Sequence, residues 1–199
     1  PTAPSALTTV GDQAFFECGN LAAFDYLQKV THIGKSAFFR CGNLSNAPVY
    51  EGLEYIGSMA FGFCNKLPEG YIPASVFELD GNPYGGLDSA KIRLDPGNEM
   101  FVIESDNNGG LFLFDSVKSI LYGVYGLQGS YTLSQDVTQI MPGAFAGNPV
   151  TDVTLHQGIT AVVDYAFMGC NRMNVVTLQG DVTAIGDYAF YGCGLSTIS

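Results

Sequence analysis

Residues 33–44 read "IGKSAFFRCGNL", residues 56–67 read "IGSMAFGFCNKL", and residues 185–195 read "IGDYAFYGCGL". With the Ala-Phe pair as anchor, Phe15, Phe38 and Phe61 stand 23 residues apart, and Phe145, Phe167 and Phe190 stand 22 and 23 apart. Each follows an alanine: Ala14, Ala37, Ala60, Ala144, Ala166 and Ala189. Three positions on come Cys18, Cys41, Cys64, Asn148, Cys170 and Cys193. Upstream, the pairs Leu7/Val10, Val30/Ile33, Leu53/Ile56, Val137/Ile140, Ile159/Val162 and Val182/Ile185 keep the same phase. Downstream, apolar residues fall at i, i+3 and i+5, as in Leu44-Ala47-Val49, Val150-Val153-Leu155 and Met173-Val176-Leu178. Self-similarity at one short period marks a stack of like units.

The spacing has a physical reading. In "VTDVTLH", Val153 and Leu155 alternate with Thr154, as in a short strand with one buried face. A second extended piece follows a turn ("KVTHI", "DVTAI"), and the Ala-Phe segment closes the coil. One such coil cannot bury its apolar side, whereas stacked coils cap one another. Small alanines let coils approach, and phenylalanines fill the space between them. The sequence therefore predicts one continuous solenoid over residues 1–199: three coils, a degenerate fourth, an insertion at about 98–131, then three more coils. In the degenerate coil, residues 68–97, Val76-Phe77 is read in place of Ala-Phe. Within the insertion, "MFVIE", "LFLFD" and "ILYGVY" read as strands, joined by turns at "SDNNGG" and "SVKS". Their near-continuous apolar character predicts a sheet that covers the solenoid flank. The chain shows no polar capping coil and stops in mid-strand at "LSTIS", which predicts a larger array or end-to-end association.

The pattern L-x-x-V-x-(I/L)…V-T-x-I-G-x-x-A-F-x-x-C-x-x-L, carried by residues 1–67 and 137–199, resembles the BspA-like leucine-rich repeat family of bacterial surface proteins. The stretch "GNEMFVIESDNNGGLFLFDSVKSILYGVYG" is similar to a hairpin insertion common in these arrays. Asn98, Phe101, Gly110, Leu111, Phe112, Ile120, Leu121 and Tyr122 occupy its family positions, and Val124 stands where proline is usual. The resemblance implies a leucine-rich-repeat solenoid of the right-handed β/α-superhelix class, β-rich with few or short helices, carrying an inserted β-hairpin or meander. It also implies an extracellular or cell-surface location and a role in adhesion.

Composition narrows the function. Net charge is −11 with only 8 Lys and Arg, so no cationic face exists for nucleic acid or for anionic membranes. No apolar run approaches the roughly 20 residues that span a bilayer. The stretch "PTAPSALTTVGDQAF" carries no basic n-region or apolar h-region, so no signal peptide is read in it. The five cysteines repeat one column, with no C-x-x-C pair and no H-x-x-x-H, which points away from a metal. Asn148 in that column cannot form a disulfide, so the column's task reads as turn support by buried free thiols. His32 and His156 lie in different phases of the repeat, and His156 is expected to face solvent. "ESDNNGG" offers only part of a calcium loop and reads as a hairpin turn. No nucleophile elbow, zinc-protease helix motif or phosphate loop occurs, so no catalytic, metal or cofactor site is expected.

What remains is surface. Alternation turns Asp25, Pro48, Tyr71, Lys91, Thr154 and Thr177 outward, flanked by Tyr50, Arg93, Asp152 and His156. This is the candidate binding face, for an unknown protein or host-matrix ligand. The expected function is a non-enzymatic extracellular or cell-surface protein-binding module. A structural spacer within a larger surface protein is the first alternative, and a carbohydrate-binding accessory module the second.

Overall fold

The repeat columns become ladders. In the computed structural model, which describes residues 6–47, 49–106 and 109–199, the chain winds into a β-solenoid of about 8 turns. Among the described residues there is no α-helix; Leu27–Lys29 and Ser89–Lys91 form short 3-10 turns. The Phe15, Phe38 and Phe61 rings stack at 5.1 Å, and Phe145, Phe167 and Phe190 at 5.0 and 5.4 Å. These spacings sit just above the ~4.8 Å between paired strands, so the rings and the backbone keep one register.

One parallel ladder runs through Thr9–Val10, His32–Ile33, Tyr55–Ile56 and Glu78–Leu79, buried at its second position in every rung. It resumes where Ala161–Val162 pairs with Ala184–Ile185. On another side of the coil, Gly70–Ile72 pairs with Ile92–Leu94, and Gly129–Thr132, Val150–Leu155, Val175–Leu178 and Thr197–Ile198 form a second parallel sheet. The Ala-Phe segment is the outer turn between them. Its backbone N–H groups bond to the next coil, as in Phe15 N to Ala37 O (2.7 Å) and Phe38 N to Ala60 O (2.7 Å). Left-handed backbone recurs two residues before and two after each phenylalanine: Gln13/Glu17, Ser36/Arg40, Met59/Phe63, Gly143/Gly147, Tyr165/Gly169 and Tyr188/Gly192. The repeat imposes this geometry even where glycine is absent.

The cysteine column supports the turn. The thiols of Cys41, Cys64, Cys170 and Cys193 donate to Phe15 O, Phe38 O, Phe145 O and Phe167 O, one coil back, at 2.8–3.1 Å. Asn148 does the same with its amide, bonding to Val124 O at 2.7 Å, and its Oδ1 also accepts from Leu127 N at 3.0 Å. All five cysteines are free; Cys41, Cys64 and Cys170 are buried. Cys18 departs from the expected burial: it is exposed, because among the described residues no coil stacks beneath it. Burial pushes the Cys41 thiol up to about 11 and the Cys64 thiol up to about 12 from an ordinary 9.0. Since folding keeps these thiols protonated, their contribution to stability is complete below pH 9 and is lost as pH rises toward 11–12. Iodoacetamide at pH 8 should therefore label Cys18 in the native protein and spare Cys41 and Cys64, with five labels after denaturation. Fast native labelling of Cys64 would contradict the packing.

Coil 4 corrects the sequence reading. Its rung residue is Tyr84, whose ring stacks 5.4 Å from Phe61, and Phe61 N donates to Pro83 O at 2.8 Å. Pro83-Tyr84 is thus the Ala-Phe equivalent, and Phe77 is half-exposed. The Tyr84 hydroxyl stays satisfied by donating to Tyr71 O at 2.7 Å, so a tyrosine can replace the phenylalanine inside.

The insertion forms an antiparallel sheet of Phe101–Ser105, Leu111–Asp115 and Ile120–Tyr125. Asn98 anchors it, giving Nδ2 to Pro73 O and Val76 O at 2.8 Å while Oδ1 accepts from Met100 N and Phe101 N. Phe112 packs 5.3 Å from Tyr131 on the adjoining coil, so the sheet covers the solenoid. Asn107 and Asn108, at its first turn, lie outside the described residues. The third strand is also a rung: Ile120 and Leu121 pair in parallel with Gln139 and Ile140, and Val124 N donates to Ala144 O at 2.7 Å.

This rung counts as coil 5, with the Phe145, Phe167 and Phe190 turns in coils 6, 7 and 8. From Tyr125 the chain reaches the strand at Gly129 through only three residues, so coil 5 makes no outer turn. Coil 4 there meets coil 6 directly: Asn82 N donates to Pro142 O, and Gly86 N to Ala146 O, both at 2.9 Å. The buried Asn82 side chain closes the joint, with Nδ2 on Gly143 O and Oδ1 accepting from the Tyr125 hydroxyl at 2.6 Å. One rung is missing on the outer-turn side only, and the stack folds toward that side. Phe39, Met59, Ala146 and Met168, with Phe63 and Tyr165 against them, form a separate core cluster between the two arms.

Candidate functional site

The strand face is divided. Tyr71 and Arg93 are register partners on adjacent rungs. The Tyr71 hydroxyl donates to Asp95 Oδ2 at 2.6 Å, and that bond to a carboxylate holds the phenol proton on, raising its pKa. Arg93 donates to Ala90 O and Ile92 O at 3.0 Å. Lys91 is a clamp, its ammonium on Asn65 O (3.2 Å) and Leu67 O (2.9 Å). Asp25 accepts from the Asn46 amide, and Tyr50 is exposed. On the other arm, Asp152 accepts from Ser130 Oγ at 2.9 Å and Thr151 Oγ1 at 2.7 Å, while Thr154 and Thr177 are register partners. The structure thus groups Tyr71 with Arg93 and Lys91, and Asp152 with Thr154 and Thr177, with the insertion between the groups. Pro48 lies outside the described residues.

His156 is not on this face. It is buried, its Nδ1 accepts from Gly158 N at 3.0 Å, and its Nε2 therefore carries the proton given to Val137 O at 2.8 Å. Alternation along "VTLH" pointed it outward, but the strand ends at Leu155 and the ring turns in to bond the loop backbone.

The fold creates a second surface. On the outer-turn side the arms face each other across a groove of about 570 Å³. One wall carries Phe16 stacked on Phe39 at 5.1 Å; the other carries Tyr165 stacked on Tyr188 at 5.6 Å, with Tyr191 edge-on to Tyr188 at 5.7 Å. Phe39 lies 6.5 Å from Tyr165 across the groove. The Arg40 guanidinium sits 5.3 Å from the Phe39 ring and 5.6 Å from the Tyr191 ring, and is paired with Glu17 at 3.0 Å. In a straight stack, Arg40 and Tyr191 would stand five outer rungs apart, about 24 Å. Their contact measures the bend. Phe16, Tyr188 and Tyr191 keep 41%, 58% and 52% of their surface exposed.

The groove escaped the sequence reading, although a signal for it exists. The position after each rung residue reads Phe16, Phe39, Gly62, Gly85, Ala146, Met168 and Tyr191: bulky at both ends, small in the middle. A Cβ on Gly85 would lie 2.7 Å from Met59 Sδ and 3.0 Å from Ala146 Cβ, so the joint closes only over small residues.

Chemically, the groove can stack and hydrogen-bond. Its one lining carboxylate, Glu17, is already paired. Among the described residues, no group of three or more metal-ligating side chains could hold an ion, and no helix is long and apolar enough to cross a membrane.

Known proteins agree with this architecture. The chain is similar in structure to the pneumococcal vaccine antigen PcpA (TM-score 0.64, 20% identity, 98% of this chain and 54% of that one). It is similar also to a leucine-rich cell surface protein from Faecalibacterium prausnitzii (TM-score 0.60, 18% identity, 98% and 64%). A leucine-rich repeat protein from Eubacterium ventriosum follows (TM-score 0.53, 17% identity, 98% and 77%). The chain spans between half and two thirds of the length of the first two. Among curated protein sequences, none matches it. The model of the BspA type leucine rich repeat region matches in 6 copies over residues 2–91 and 116–199, and the chain belongs to that family.

Proposed function

We propose that this chain is a non-enzymatic interaction module of a bacterial surface protein, and that it binds protein through the groove between its arms. One observation carries the reading: three large aromatic side chains stay half-exposed and converge on one concave surface. Such rings are the usual anchors of interfaces, because they offer large area for little lost freedom. A hydrolytic reading would need two carboxylates held across a cleft, and Glu17 has no such partner in the groove lining. The spacer reading draws on the second arm's strand face, where Thr132, Thr154 and Thr177 line up as small polar residues. A surface location is supported by the family and by the likeness to the leucine-rich cell surface protein from Faecalibacterium prausnitzii.

The test is an array of purified matrix proteins and glycans, probed with wild type, Tyr188→Ala/Tyr191→Ala and Tyr71→Ala/Arg93→Ala. Lys91 is left in place because its ammonium holds the coil. A protein ligand should appear, and the groove variant should lose at least about tenfold in affinity. An array without any protein ligand would favour the spacer. Loss confined to the Tyr71/Arg93 variant would move the site to the strand face.

A further inference from the structure

We infer that the groove's occupant is an extended, basic, proline-containing segment of a partner protein, an assignment that rests on the groove being the binding surface. Three features argue for this chemistry.

The first is charge. One position of the repeat, three residues before the rung aromatic, places Asp12 on the first arm and Asp164 and Asp187 on the second. All three are exposed. Asp12 and Asp164 orient alike, each Oδ1 accepting the next rung's N–H (Lys35 and Asp187) at 2.8 Å. Lys35, the cation of this column, is bound to Asp80 at 2.7 Å and is held protonated by that bond and by Asp12 and Asp164, from opposite arms. Arg40 is likewise paired with Glu17. The groove edge is therefore acidic after internal pairing, on a chain of net charge −11. An anionic or phosphorylated ligand would meet repulsion, and a basic one is steered in.

The second is the shape of the walls. Arg40 already lies over Phe39 and Tyr191, so the gap between the arms accommodates a guanidinium against ring faces. Toward the mouth, Phe16 and Tyr188 present further ring surface to solvent. An incoming arginine or lysine repeats the contact that Arg40 makes.

The third is the aromatic lining. A proline-rich segment is extended before it binds, loses little conformational freedom, and packs its rings against aromatic grooves. Among the described residues the groove walls are outer turns bonded coil to coil rather than open strand edges, which argues against strand addition there.

The probe is fluorescein-labelled acetyl-PRPRPRP-amide, read by anisotropy with the full chain at about 20 mM and about 0.3 M salt. Acetyl-PEPEPEP-amide, acetyl-GRGRGRG-amide and cellohexaose are the comparisons, and circular dichroism checks each variant's fold. The basic proline peptide should bind best, and the glycine peptide more weakly because its extended form is not preset. Tyr188→Ala/Tyr191→Ala should lose about tenfold or more. Asp164→Asn/Asp187→Asn keeps the Asp164 acceptor to the next rung, and should lose about threefold at low salt with little difference at high salt. Equal binding of PRPRPRP and PEPEPEP, or groove variants that bind like wild type, would overturn the assignment. So would binding of cellohexaose in its place, which would make the occupant a glycan. If an array protein still depended on Tyr188 and Tyr191 while PRPRPRP failed, the occupant would be wrong and the groove reading would stand.

Discussion

Valine in place of Gly147 is expected to drive the two arms apart and to cost about 3 kcal/mol or more of stability. Gly147 has φ +74° at the joint of coils 4 and 6, and a Cβ there would stand 2.4 Å from Gly86 Cα. The obstacle is backbone, which cannot rotate away, and a β-branched residue strongly resists positive φ. The same repeat position in coil 8 separates the two penalties. Gly192 has φ +71°, yet its Cβ would find nothing closer than 3.8 Å, so Gly192→Val should carry only the left-handed backbone penalty, about 1–2 kcal/mol. Urea unfolding of the two variants measures the difference, and equal costs would mean that coils 4 and 6 do not touch as described.

Phe167→Ala should cost about 3–5 kcal/mol, the range for emptying a buried aromatic site. The ring is fully buried and sandwiched between Phe145 at 5.0 Å and Phe190 at 5.4 Å, so neither neighbour can collapse into the gap without leaving its own rung. A solenoid's coils hold mainly to their neighbours, so the damage should be local. Hydrogen exchange should rise first in coils 7 and 8, while Phe38 and Phe61 keep their protection. Phe16→Ala removes a comparable ring from an exposed site and should cost under about 1 kcal/mol.

The ladders were legible in the sequence because they depend on repetition alone. Any column that must meet its own copy a coil later repeats its chemistry, as the Phe and Cys columns do. Even Asn148 told the column's purpose, since it supplies a donor where the thiols do. Reading stops where identity changes but geometry does not: Pro83-Tyr84 keeps the 23-residue phase without an Ala-Phe pair, while Val76-Phe77 looks more like that pair and lies out of phase. His156 was misplaced because alternation does not extend past the strand's last residue. The groove was hidden for a different reason. Curvature arises from a coil that omits its outer turn, and only the taper from Phe39 through Gly62 and Gly85 to Tyr191 hints at the result. Of the residues that alternation turns outward, Tyr71 and Arg93 are register partners on one sheet, and Asp152 and Thr154 share a strand of another. The rings that converge lie on the opposite logic of the coil, its turns.

A distance across the groove tests the fold-over most directly. With Cys18 and Cys193 replaced by serine, nitroxide labels at Gln13→Cys and Tyr188→Cys report coil 1 against coil 8 by double electron–electron resonance. Both residues line the groove, so the distance distribution should peak at about 20 Å or less, well under the six outer rungs, about 29 Å, that separate them in a straight stack. A single peak near or beyond 29 Å would mean that the arms do not face each other, and the groove with its proposed ligand would go with them.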